Sequence, residues 1–355
     1  MKTRLRDQRS GESGFSLIEI MVGMVIGLLA IIIMMQVFAV SEERKRTANA
    51  GSDAQNSAVI ALDGLQRDIG QSGYGFSMTR LLGCNLQLPF GAPVPLAPVI
   101  INPPVAVIPA GDANTDTLLV SYGLGNDQPE GYNVLSQSGT TYTLIGTTML
   151  RVGDRVIAAP AACGATLVLG TVQAVNASVV QLSTSAAGTG LFNLGATPRF
   201  LAYAVRNGNL VVCDYMAANC GDATAATLAN PAIWRLVAEN IASLRAQYGQ
   251  DTSGPPMDGT VDTYTQTTPV NACQWARTPA IRVALVARSA QFEKENVTLA
   301  APQWSGSTSP TPVVIGVPTN PDGTPDALWQ RYRYRVFETV VPIRNVAWMG
   351  VVSGC

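Results

Sequence analysis

The sequence predicts an α+β protein in which one long N-terminal helix joins a large β-rich head. Three observations carry this reading. Residues 20–40 form an unbroken apolar run whose only strongly polar side chain is Gln36. Residues 41–69 contain no proline and continue with helical periodicity. From Tyr74 onward the chain breaks into short apolar or alternating runs punctuated by glycine, proline and asparagine, the pattern of strands and turns.

The apolar run comes first. Its 21 residues, Ile20 to Val40, make roughly 32 Å of helix at ~1.5 Å per residue, enough to cross a hydrocarbon core of about 30 Å. It is longer than the apolar part of a secretory signal, and no small-residue cleavage site follows it, so it reads as a retained span. Lys2, Arg4, Arg6 and Arg9 precede the run and Arg44, Lys45 and Arg46 follow it. The short basic leader places the N-terminus in the cytoplasm and exports residues 41–355. Glu19 lies at the head of this segment, where a carboxylate is costly unless it serves a function. Gly23 and Gly27 form a G-x-x-x-G spacing suited either to close helix approach or simply to tolerated small residues.

Beyond the span, Val59, Leu62, Leu65 and Ile69 recur at intervals of three or four and are predicted to share one buried face. Glu42 and Arg46 form an i,i+4 pair in the favourable order, and Gly70 and Gly73 offer stop signals. One helix of roughly 55 residues from Phe15 would extend about 80 Å.

In the head, the proline-rich segment 89–111 reads as an extended surface loop. Asn207-Gly208 between two β-type runs predicts a type I′ hairpin. Segments 281–289 and 332–346 are strand-like, 232–249 is ambiguous between strand and helix, and 319–327 is a turn. No internal repeat is evident. The stretch 84–200 is placed only as β-rich.

Composition excludes several functions. The chain has no histidine and a formal net charge of −1, so a basic nucleic-acid surface is not supported. Six cysteines in an exported chain favour disulfides; Cys213 and Cys220 make the first candidate pair, while Cys84, Cys163, Cys273 and Cys355 form two more in an order left open. A catalytic cysteine lacks its histidine base, and zinc lacks histidine and a paired C-x-x-C. Asp251, Asp258 and Asp262 sit in a glycine-rich loop as weak calcium candidates, but their spacing fits a solvated loop better than an EF-hand. No phosphate loop, nucleophile elbow or dinucleotide fingerprint stands in a convincing context, and no cofactor is expected.

The junction "ESGFSLIEIMVGMVIGLL" (12–29) resembles the type IV prepilin leader: a short basic leader ending in glycine, then phenylalanine, then an apolar helix with glutamate at its fifth mature position. The resemblance implies a pilin-like fold, cleavage by prepilin peptidase between Gly14 and Phe15, N-methylation of Phe15, and pairing of Glu19 with a neighbouring subunit's Phe15 amine. The segments "LRAQYGQD" (244–251), Trp275 through "IRVALVARS" (275–289) and "YRYRVFETVVPIRN" (332–345) resemble PilW-type minor pilins. The proline that major pilins commonly carry partway along this helix is absent, and Gln36 stands at the corresponding place. The implied organisation is a cleaved leader at 1–14, a helix at 15–73 with its membrane and filament-core part at 15–40 and an amphipathic part at 41–73, and an exported head at 74–355. The implied function is that of a non-enzymatic minor pilin in a tip or initiation complex, supporting pilus assembly, twitching motility, adhesion and DNA uptake. Its partners would be other minor pilins, a large PilY-type tip adhesin, the major pilin and, before assembly, the inner membrane. A minor pseudopilin of a type II secretion system and a membrane-anchored periplasmic binding protein or enzyme are the alternatives.

Overall fold

The computed structural model describes residues 14–125, 130–308, 310–318, 324–352 and 354–355, without the side chains of 43, 44 and 46–54. The leader basic residues, Arg46 of the expected ion pair and most of the 319–327 turn lie outside these described residues. Two compact units divide at Ala50 and Gly51, inside a single helix, α1 (Leu17–Gln71).

In the first unit, Leu17–Glu42 is a 26-residue apolar segment with none of its surface buried in the chain. The second unit begins with the rest of α1, which lays Ala58, Ala61, Leu65 and Ile69 into the main core. This corrects the expected face. Val59 is half exposed and Leu62 only partly buried, because two alanines let the helix backbone approach the sheets more closely than valine would. Gly70 does not end the helix. The stop is Gly73, at φ +82°, where an added Cβ would sit 2.2 Å from Ser77 Oγ. Asn345 Nδ2 donates to the carbonyls of Gln71 and Ser72 at 3.0 Å each, satisfying groups the helix end leaves free.

The strands follow in order. β1 (Asn85–Gln87), β2 (Val94–Pro95), β3 (Val99–Ile101) and β4 (Leu118–Tyr122) open the head. The segment 89–111 is therefore not a surface loop: Val94, Leu96, Val99, Ile100, Ile101, Val107 and Ile108 are buried. β3 is the edge of its sheet, where the flanking prolines remove no ladder hydrogen bond, and the apolar residues between them fill the core.

Next come β5 (Tyr132–Ser138), β6 (Thr141–Leu144), β7 (Arg155–Ala159), β8 (Leu167–Asn176), β9 (Val179–Leu182) and β10 (Gly190–Gly195). Their pairings run β5–β6–β9–β8–β7–β10 and back to β5, all antiparallel, so the six close into a small barrel. Tyr142, Val156, Val172, Val180 and Leu191 belong to its own buried cluster. Closure leaves this module no free edge except where β1 joins β8 in parallel.

The remaining strands are β11 (Arg199–Arg206), β12 (Asn209–Asp214), β13 (Arg235–Ala238), β14 (Ile241–Gln250), β15 (Thr263–Thr265), β16 (Ala280–Arg288) and β17 (Tyr334–Pro342). One sheet has the order β13-β12-β11-β4-β3, the other β15-β14-β16-β17. β11 pairs directly with β4, Arg199 opposite Tyr122, so the barrel is inserted at what would otherwise be a hairpin end. Asn207 and Gly208 both take positive φ, 51° and 70°, the I′ turn their types favour. The ambiguous segment 232–249 resolves into β13 and most of β14.

Candidate assembly site

The start of α1 is built from four residues. Gly14 and Phe15 precede the helix, and Phe15 is 83% exposed. Ser16 is the residue from which the helix springs: its carbonyl accepts from the Glu19 and Ile20 N–H groups, and its Oγ accepts from the Ile18 N–H at 3.4 Å. In return the Ser16 N–H donates to Glu19 Oε2 at 3.3 Å. This is a capping box, and it gives Glu19 a partner within its own chain. The sequence carries this cap as the pattern Ser16-x-x-Glu19, which the apolar run beside it overshadows.

Downstream, every described side chain from Leu17 to Glu42 faces outward. An added Cβ at Gly23 or Gly27 would meet nothing within 4 Å, so this small-residue face is unfilled among the described residues. A helix apolar all round is stable only when lipid or other apolar helices surround it.

In the second unit, Asp68 projects from α1 to the five-stranded sheet. It accepts from the Tyr122 hydroxyl at 2.8 Å and from the Tyr203 hydroxyl in a second, short bond. Burial pushes both tyrosine pKa values up, and the Asp68 charge adds to the effect. Asp68 thus ties the helix to β4 and β11, a role that helical spacing does not reveal.

All six cysteines are paired: Cys84–Cys163, Cys213–Cys220 and Cys273–Cys355. The first joins the start of β1 to the loop before β8 and pins the barrel to the head. The second closes the loop after β12. The third holds Cys355 beside Arg277, whose Nε donates to the Cys355 carbonyl at 2.9 Å. With every thiol oxidised and no histidine in the chain, no thiol nucleophile or thiolate metal ligand is present.

The acidic loop is organised by its own backbone. Asp251 accepts from the Gly259 N–H at 2.7 Å and from the Ser253 N–H at 3.0 Å, and it meets Arg277 Nη1 at 3.4 Å. Asp258 accepts from the Thr260 N–H and Asp262 from the Thr252 N–H. The three carboxylates do not converge, and among the described residues no group of three or more histidine, cysteine or acidic side chains could hold a metal.

Comparisons with known proteins place these features. The prokaryotic N-terminal methylation motif matches residues 9–35, the stretch that holds Gly14, Phe15, Ser16 and Glu19. The model of the type IV pilus-assembly protein W family matches residues 203–345, from β11 through β17 to the asparagine that caps α1. Residues 203–345 are thus similar to the PilW family of type IV pilus-assembly proteins, and the start of α1 to the N-terminal methylation motif. The methylation motif implies processing by prepilin peptidase and contact with pilus components, and the exposed apolar helix suits membrane anchoring and pilus association. Among solved structures the chain is similar to a type IV-like pilin from Thermus thermophilus, at 13% identity and a TM-score of 0.37, covering 82% of this chain and 96% of that one. No curated protein matches the chain. The inserted barrel lies wholly outside the two matched regions.

Proposed function

We propose that this PilW-type chain is a minor pilin of a pilus-tip or initiation complex that primes pilus assembly. The observation that carries the proposal is the N-terminus of α1: an exposed Phe15 and a capped Glu19 at the head of a 26-residue apolar segment that none of the described residues covers. Prepilin peptidase cuts between Gly14 and Phe15, and the new Phe15 amine is methylated. Before assembly the apolar segment spans the inner membrane, with the N-terminus cytoplasmic and the head periplasmic. On assembly it leaves lipid for a core of similar helices, where Glu19 pairs with the Phe15 ammonium of the neighbouring subunit. Burying either charge alone is costly and pairing offsets much of the cost, so the acid sets the axial register.

The head supports a tip position over the shaft. An inserted barrel on an already large domain would clash with the close helical repeat of a filament wall, whereas a tip subunit has no layer above it. Other minor pilins, a large PilY-type adhesin and the major pilin are the partners in this reading, and twitching, adhesion and DNA uptake depend on the filament it starts. The match to a pilus-assembly family supports a pilus over a secretion pseudopilus. Gold-labelled antibody against the head tests the proposal: label should concentrate at filament ends and deletion should reduce pilus number. Label distributed evenly along the shaft would overturn the tip assignment.

A further inference from the structure

β17 is an outer strand of the four-stranded sheet, paired with β16 on one side only. The Ser289 N–H donates to the Arg333 carbonyl at 2.8 Å, and the Ile343 N–H donates to the Pro279 carbonyl at 2.8 Å. The same register sets Phe337 opposite Leu285, so the odd-numbered residues of β17 hold the ladder to β16. The even-numbered residues aim their backbone groups away from the sheet. Among the described residues, nothing bonds the N–H and C=O groups of Val336, Glu338 or Val340 on that side. Unpaired backbone groups are costly unless water reaches them, so this edge is open.

Natural edge strands are blunted by bulges, prolines, short length or charged side chains. β17 runs nine residues in unbroken register with β16 and has no proline before Pro342, its last residue. Val336, Phe337, Thr339, Val340 and Val341 favour extended backbone. Its two charges differ in state. Glu338 is already held by Ser305, whose N–H donates to Oε2 at 2.8 Å and whose hydroxyl donates to Oε1. Arg335 is exposed and makes no ion pair or hydrogen bond among the described residues. The charge left open along this edge is therefore positive.

We propose that this edge receives an extended segment of a different, partner subunit, added as a further strand of the sheet with a carboxylate side chain beside Arg335. The outward N–H and C=O groups of Val336, Glu338 and Val340 supply the main-chain bonds, and Arg335 discriminates between partners. A second copy of this chain lacks the acid. In antiparallel pairing of two β17 edges Arg335 faces an odd-numbered residue, and none of these from Arg333 to Ile343 is acidic. Such docking presupposes that the chain assembles with other subunits, as proposed above, and needs no particular place in the filament.

The test is amide hydrogen exchange, resolved by residue, in the full-length chain in non-ionic detergent and in the complexes recovered from membranes through a tag on this chain. Alone, Val336, Glu338 and Val340 should exchange fast, and Phe337, Thr339 and Val341 slowly. In the complex the first three should slow by about tenfold or more, as amides entering a ladder do. Val336→Pro removes an outward N–H and leaves the β16 ladder whole, so the chain should fold while recovery of the complex falls about tenfold. Arg335→Glu should lower recovery to a similar degree, and Arg335→Lys should retain it. Edge amides that stay fast in the complex, or undiminished recovery of Val336→Pro or Arg335→Glu, would each overturn the proposal. Protection of these amides in the isolated chain that rises with its concentration would overturn it too, assigning the edge to a second copy. Failure to recover any complex would remove the assembly reading itself, and this docking with it.

Discussion

Replacing Glu19 with glutamine separates the two roles that the start of α1 allows this side chain. Within the chain, Glu19 Oε2 accepts from the Ser16 N–H at 3.3 Å, and a glutamine amide oxygen can accept the same bond. The cap contributes about 1 kcal/mol, so Glu19→Gln keeps the helix start while Glu19→Ala weakens it. In the proposed filament core the carboxylate faces an ammonium, and removing one partner of a buried pair costs about 3–5 kcal/mol. At ~1.4 kcal/mol per tenfold, loss of the pair lowers incorporation by roughly 100-fold or more, whereas loss of the cap alone lowers it about fivefold. The assay is the amount of variant in sheared pili at matched membrane levels, with mass spectrometry of the N-terminus to show that processing continues. Both Glu19→Gln and Glu19→Ala should be processed, retained in the membrane and missing from sheared pili, and Glu19→Asp should be intermediate because its charge reaches less far. Wild-type incorporation of Glu19→Gln beside a fivefold loss for Glu19→Ala would refute the reasoning and leave Glu19 as a cap.

Other expectations follow from the same structure. Gly14→Val should leave the folded chain unchanged, because an added Cβ there meets nothing within 4 Å, yet should block the peptidase; mass spectrometry should find the leader still attached, and a mature Phe15 terminus in this variant would contradict the cleavage assignment. Non-reduced, denatured protein should show no titratable thiol. Replacing Cys273 and Cys355 together, 82 residues apart, should cost about 4–5 kcal/mol in the chain-entropy account, against about 2–3 kcal/mol for Cys213 and Cys220, 7 residues apart; equal shifts in urea midpoint would count against it. Alkali should destabilise the head: Tyr122 and Tyr203 have raised pKa values in the folded state, so the stability they contribute is present below their unfolded value of about 10 and is lost as pH rises above it. Urea midpoints measured from pH 8 to pH 11 should fall above about 10, and fall less in Tyr203→Phe; a flat profile would show that these hydroxyls are not held protonated by the fold.

What could be read from the sequence is what short-range physics settles. The apolar segment of α1 declares itself by length and composition, since a helix satisfies its own backbone wherever it is placed. Asn207-Gly208 declares the β11–β12 hairpin because the turn needs two positive φ values that these residues adopt readily. Cys213 and Cys220 are near neighbours in the chain, so their pairing needs no knowledge of the fold. The spacing of Gly14, Phe15 and Glu19 belongs to the same class of local pattern.

The tertiary structure decided whatever depends on residues far apart. Only the neighbouring sheets choose between Ala58 and Val59 for the buried face of α1, because the helical period admits both and close approach favours the smaller side chain. Segment 89–111 looks like a loop by proline content and becomes core because β4 stands beside β3. Closure of the barrel rests on β10 returning to β5, and that contact is invisible to any short window of sequence. Cys84 finds Cys163, and Cys273 finds Cys355, only after those strands are in place.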